Sequence, residues 1–103
     1  SLAIYRLVND QAGESNALSG LGGIYEVFGN YAKAIEYYQK SLTISQKIQS
    51  KPRELVAFAD IASVLQKQKQ PELAIVFYKQ SINVSEVIRR DTRHLDRELQ
   101  VTY

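Results

Sequence analysis

Two stretches of this chain, EYYQKSLTISQKI at residues 36–48 and VFYKQSINVSEVI at residues 76–88, match at Tyr38 and Tyr78, Ser41 and Ser81, Ser45 and Ser85, and Ile48 and Ile88. The interval is forty residues each time. It also pairs Leu21 with Ile61, Gly22 with Ala62, Tyr25 with Leu65, Ala34 with Ala74 and Ile35 with Ile75. Shifted back by the same interval, SLAIYRLV at residues 1–8 aligns with SLTISQKI at 41–48, so the chain is expected to open inside a repeat. Repetition at this period restricts the fold to stacked units, none of which can bury its apolar face alone.

The local pattern selects the unit. Leu18, Leu21, Tyr25 and Phe28 step by three and four, as one face of a helix does. Tyr31, Ala34, Ile35, Tyr38, Leu42, Ser45 and Ile48 continue the rule in a second segment. Between them Gly29 suits a left-handed helix end and Asn30 an N-cap. The second copy repeats this through Phe58, Ile61, Ala62 and Leu65, then Ala74, Ile75, Tyr78, Ile82 and Ile88, with Pro71 suited to a first helical turn.

Ser50 with Pro52 predicts the start of the second helix pair, and Asp10 with Glu14 that of the first. The expected division is the end of a repeat over 1–9, one helix pair over 14–49, a second over 52–90 and the start of a further helix over 91–103. Leu95, Leu99 and Tyr103 carry that last segment, expected to fold back over the second pair. Small residues at Gly22, Ala62, Ala34, Ala74, Ser41 and Ser81 predict close helix contacts, with the tyrosines filling the space beside them. The hydroxyls of Ser41, Ser45, Ser81 and Ser85 are expected to bond back to the preceding turn.

LSGLGGIY (Leu18 to Tyr25) and AIEYY (Ala34 to Tyr38) resemble the tetratricopeptide repeat, whose pattern is W-x2-L-G-x2-Y followed by A-x3-F. Leu21, Gly22, Tyr25 and Ala34 match it; Leu18 stands for the tryptophan and Tyr38 for the phenylalanine. HEAT and armadillo repeats share the period but not this order of residues. The forty-residue spacing exceeds the family's usual one of about 34. It is similar to that of long-period repeats preceding a caspase-like (CHAT) peptidase domain in large cyanobacterial proteins. The resemblance implies an all-α fold, a right-handed superhelical stack of antiparallel helix pairs, here as a solenoid fragment. It also implies a non-catalytic protein–protein interaction scaffold of the cytoplasm, part of a larger multidomain protein.

In such a stack the first helix of each pair lines a concave groove that receives a peptide or partner helix. The resemblance places the groove at Asn16, Ser19, Gly23, Glu26 and Val27 in the first copy. In the second it falls on Val56, Ala59, Ser63, Gln66 and Lys67, with Glu26 and Lys67 as the expected charged contacts. The positions that hold a C-terminal carboxylate in other members carry Ser19, Gly20, Gly23, Val56, Ala59 and Asp60 here, which argues against that ligand. Apolar surface left open on the terminal helices predicts self-association as an alternative.

Other functions find little support. Net charge is +2, from 13 basic and 11 acidic residues, too weak a field for nucleic acid or an anionic membrane. Arg89, Arg90, Arg93 and Arg97 could meet phosphates, but Asp91, Asp96 and Glu98 are interleaved with them. His94 stands alone in that charged stretch without further metal ligands. There is no cysteine, no Ser/His/Asp arrangement, and no apolar run that would span a bilayer. GLGG at residues 20–23 lies within a helical pattern, where it makes a poor phosphate loop. No catalytic residue, cofactor or metal is expected.

Overall fold

The structure, a computed structural model, describes residues 2–101, with side chains for residues 2–93. Four helices follow one another: α1 (Leu2–Val27), α2 (Tyr31–Lys47), α3 (Lys51–Lys67) and α4 (Pro71–Val101). Each packs on the next, α1 on α2, α2 on α3 and α3 on α4, which is the all-α stack of helix pairs that the periodicity predicts.

The three reversals share one geometry. Gly29, Gln49 and Lys69 each take a left-handed backbone, with φ of 82°, 57° and 62°. In each turn the next residue's N–H bonds five residues back: Asn30 to the Tyr25 carbonyl, Ser50 to Ser45 and Gln70 to Leu65. The left-handed residue itself bonds three back, completing a Schellman end. Asn30 then caps α2, its side chain accepting from the Lys33 N–H at 3.4 Å.

The expected starts at Asp10 with Glu14 and after Arg90 are not breaks: α1 runs through residues 9–14 and α4 through 90–91. The reason is local. Pro52 has no N–H and sits in the first turn of α3, whereas the residues one interval away, Ala12 and Thr92, keep theirs and can continue a helix. The foldback of residues 91–103 is accordingly not seen where the backbone is described, and the side chains of Leu95, Leu99 and Tyr103 lie outside the described residues.

The core gathers where α3 is covered on both sides. Ala34 and Tyr38 of α2, Ile61, Val64 and Leu65 of α3 and Ala74 of α4 form its centre. Tyr25, Tyr31, Ile35, Leu42 and Phe77 pack around them. Phe58 meets Phe77 at 6.3 Å between ring centroids, and Tyr25 stacks on Tyr37 at 5.4 Å. α1 packs mainly on α2 and α4 mainly on α3, so parts of their predicted stripes remain open: Leu21, Phe28, Ile75 and Ile82 are exposed. The open terminal surface expected from the repeat pattern is present, with Leu2, Tyr5 and Leu7 exposed on α1.

Gly22 accounts for the approach of α1 to α2, since a Cβ there would lie 2.7 Å from a Tyr38 ring carbon. Further along the same contact, hydroxyls replace side-chain bulk. Ser41 Oγ donates to the Ser15 carbonyl at 3.0 Å and lies 2.8 Å from Ser15 Oγ and 2.9 Å from Ser19 Oγ. Of the four repeated serines, Ser45 bonds back within its helix as expected, to the Ser41 carbonyl at 2.8 Å. Ser41 instead reaches across to α1. Ser81 repeats that crossing, donating to the Leu55 carbonyl at 3.4 Å, because a short side chain at a close crossing finds the neighbouring helix's carbonyl within reach.

Candidate functional site

The first helices of the two pairs, α1 and α3, lie side by side over α2, and their shared face divides into two parts. At the end nearer the C-termini of α1 and α3, Glu26 is a junction. Tyr38 Oη donates to its Oε1 at 2.8 Å; Ser63 Oγ at 3.2 Å and Lys67 Nζ at 2.8 Å reach its Oε2. Three helices are thereby joined through one carboxylate. Burial pushes that carboxyl up, but the bonds from Lys67, Tyr38 and Ser63 outweigh it and hold it below the usual range. Lys67 is raised in turn, chiefly by its hydrogen bond to Glu26. Tyr38 is pushed well up, first by burial and then by donating to Glu26.

The two residues expected as charged partner contacts are therefore engaged with each other. Gly23 borders the same junction, since a Cβ there would stand 3.6 Å from Tyr38 Oη. Asp60 adds a second carboxylate, which makes no hydrogen bond or ion pair among the described residues. Burial first, and the charge of Glu26 second, raise its pKa to about 6.

At the other end a cleft of about 360 Å³ opens between the helices. Asn16 and Ser19 line it from α1, Arg53 and Val56 from α3, and Ser15 and Ser41 at the close helix contact. Val56 is half exposed there.

Of the ten predicted groove positions, Asn16, Ser19 and Val56 meet at the cleft, and Gly23, Glu26, Ser63 and Lys67 meet at the junction. Gln66 is taken up by the second pair, accepting from Tyr78 Oη at 3.2 Å as Glu26 accepts from Tyr38. Ala59 is partly buried in the stripe between cleft and junction, and Val27 is 84% exposed at the end of α1 with no part in either. Arg53 is not among the predicted groove positions, and Asp60 is named only at a position that holds a C-terminal carboxylate in other members. Helical spacing already held the signal, because Arg53 precedes Val56 by three and Asp60 precedes Ser63 by three.

The remaining polar candidates lie elsewhere. Arg89 pairs with Glu86 at 3.0 Å, Arg90 and Arg93 are exposed on α4, and the side chains of His94 and Arg97 lie outside the described residues. Among the described residues no cluster of three or more His, Cys, Asp or Glu could hold a metal, and no helix is long and apolar enough to cross a membrane.

Comparison with known proteins adds one match: a family model described as tetratricopeptide repeat covers residues 1–86. No curated protein and no solved structure matches the chain.

Proposed function

Because the chain belongs to the tetratricopeptide repeat family, whose repeats generally mediate protein–protein interaction, we propose that it is a non-catalytic module that receives an extended partner segment along the face between α1 and α3. The observation that carries this reading is the open cleft between those helices, in which three of the predicted groove positions, Asn16, Ser19 and Val56, converge. Asp60 extends the same face with a carboxylate that nothing in the described chain pairs. Glu26 and Lys67 act here as a strut that sets the spacing of α1 and α3, rather than as the main contacts.

The forty-residue interval fits the long-period repeats that precede CHAT peptidase domains in cyanobacterial proteins. We accordingly read the chain as the interaction portion of a larger multidomain protein.

The chain has no cysteine, so one introduced thiol can carry a photo-crosslinker to a chosen face. Ala59→Cys labels the groove and Gln39→Cys the exposed outer side of α2. Partners trapped from Ala59→Cys and absent from Gln39→Cys support the groove. The same partners from both, or only a second copy of the chain, overturn it. A second reading, self-association, is favoured by the exposed Leu2, Tyr5 and Leu7 of α1 and Leu73, Val76 and Ile82 of α4. Its signature is a sedimentation coefficient that rises with concentration.

A further inference from the structure

Arg53 stands in the first turn of α3 and lines the cleft. Its Nε is buried without a hydrogen-bond partner, its Nη1 donates to Ser50 Oγ at 3.3 Å, and it has no ion pair among the described residues. Its neighbours do not supply the missing charge. The adjacent carboxylate, Glu54, is paired with Lys51 at 3.4 Å. A partly buried guanidinium without a counter-charge is costly, because its N–H donors lose water and gain nothing in return.

The surroundings have the same bias. Ser50 caps α3 without a side-chain hydrogen bond to its backbone, so the positive end of the helix dipole beside Arg53 carries no side-chain cap. Across the cleft Asn16 is exposed and makes no hydrogen bond among the described residues. The hydroxyls of Ser15 and Ser41 are already taken up with each other and with Ser19, which leaves the guanidinium and the Asn16 amide as the free donors. Val56 offers an apolar edge for the methylenes of an incoming side chain.

We infer that the cleft binds the side-chain carboxylate of an Asp or Glu in the partner segment, with the Arg53 guanidinium forking onto it and the Asn16 amide as second donor. The planar guanidinium fork matches a carboxylate's two oxygens. The inference rests on the groove reading and gives it a direction. The cleft is the cationic end and Asp60 the anionic one. Seven residues of helix separate Arg53 from Asp60, about 10 Å at 1.5 Å per residue. An extended segment covers that in roughly three residues. The preferred partner therefore carries an acidic residue about three positions from a basic one.

The test uses the full chain with labelled arginine and asparagine side chains, followed by NMR. Titrants are the capped peptide acetyl-Gly-Glu-Gly-Gly-Lys-Gly-amide, which carries an acid three positions from a base, its counterpart with Gln in place of Glu, and inorganic phosphate. The Glu peptide is expected to shift the Arg53 Nε–H and Asn16 amide signals saturably, and the Gln peptide not. Arg53→Gln is expected to weaken that binding at least tenfold, while Arg90→Gln, on the exposed α4 surface, leaves it unchanged. No saturable shift at Arg53 overturns the inference, as does an equal response to the Gln peptide. A stronger response to phosphate reassigns the cleft to phosphoryl groups and overturns the carboxylate. Cross-linking through Ala59→Cys without any Arg53 response would defeat this inference alone. An Arg53 response with partners trapped equally at Gln39→Cys would defeat the groove reading alone.

Discussion

Gly22→Ala tests the close approach of α1 to Tyr38 of α2. The added Cβ would lie 2.7 and 2.8 Å from two ring carbons of Tyr38 and 3.1 Å from a third. Tyr38 is 3% exposed, and its hydroxyl is tied to Glu26, so the ring cannot swing aside without losing cover. Overpacking of this kind costs about 1–3 kcal/mol, and three simultaneous short contacts place it toward the upper end. Replacing glycine by alanine within a helix returns about 1 kcal/mol. The net expectation is a loss of about 1–2 kcal/mol, a fall in Tm on the order of 5–15 °C for a domain of this size.

The second repeat supports the direction. It has alanine at the matching position, Ala62, and its tyrosine, Tyr78, is 37% exposed instead of buried. Gly13→Ala is the internal control: it lies in the same helix, and a Cβ there meets nothing within 4 Å. It should therefore stabilise by about 0.5–1 kcal/mol through helix propensity alone. Urea unfolding followed by circular dichroism measures both. Stabilisation by Gly22→Ala equal to that of Gly13→Ala would show that the contact with Tyr38 does not constrain the packing.

Other consequences can be measured in the same way. Gln49→Gly and Lys69→Gly relieve left-handed backbone at non-glycine residues, and each should raise stability by about 0.5–1 kcal/mol in urea unfolding. Ser41→Ala removes the donor to the Ser15 carbonyl and the partner of the Ser19 hydroxyl, while Ser15 Oγ keeps the Ser41 carbonyl and Ser45 Oγ at 3.4 Å, with an expected loss of about 1–2 kcal/mol by the same assay. Asp60 binds its proton more tightly folded, at about 6, than unfolded, at 3.8. Its contribution to stability is therefore largest at low pH and falls as pH rises from about 4 through 6. A shift of this size in a dry site would be worth about 3 kcal/mol, and solvent access reduces it to about 1. Asp60→Asn should stabilise by about that amount at pH 7.5 and not at pH 4, as read from the urea midpoint at each pH.

Much of the fold is legible in the sequence because its cause repeats. The forty-residue interval, the step of three and four, and the turn residues at Gly29 and Asn30 each report a local requirement that a neighbouring helix then satisfies. Gln49 and Lys69 take the same left-handed backbone without the residue type that announces it, so those reversals are read from the repeat and from the prolines that follow. The misplaced starts at Asp10 and after Arg90 show the converse. Capping residues permit a helix to begin but do not oblige its predecessor to stop. Each reversal also has a left-handed residue, Gly29, Gln49 or Lys69, and before α3 Pro52 lacks an N–H as well, whereas residues 10–14 and 90–91 have neither.

The candidate site is less legible for a physical reason that Glu26 and Asp60 illustrate together. Both are carboxylates on the face between α1 and α3, and periodicity assigns each to that face. It does not report whether the charge is already neutralised. Glu26 is answered by an ammonium one repeat along and by two hydroxyls, which turns an apparent contact residue into a strut. Asp60 and Arg53 lie on the same stripe of α3 and receive no such answer. They lie two turns apart, too far for a direct pair between their helix positions. An uncompensated acid and an uncompensated base on one face are satisfied together by a third party that carries both charges in reverse. That argument favours a charge-ordered segment over a uniformly acidic or uniformly basic one: either of the latter would satisfy one end of the groove and be repelled at the other.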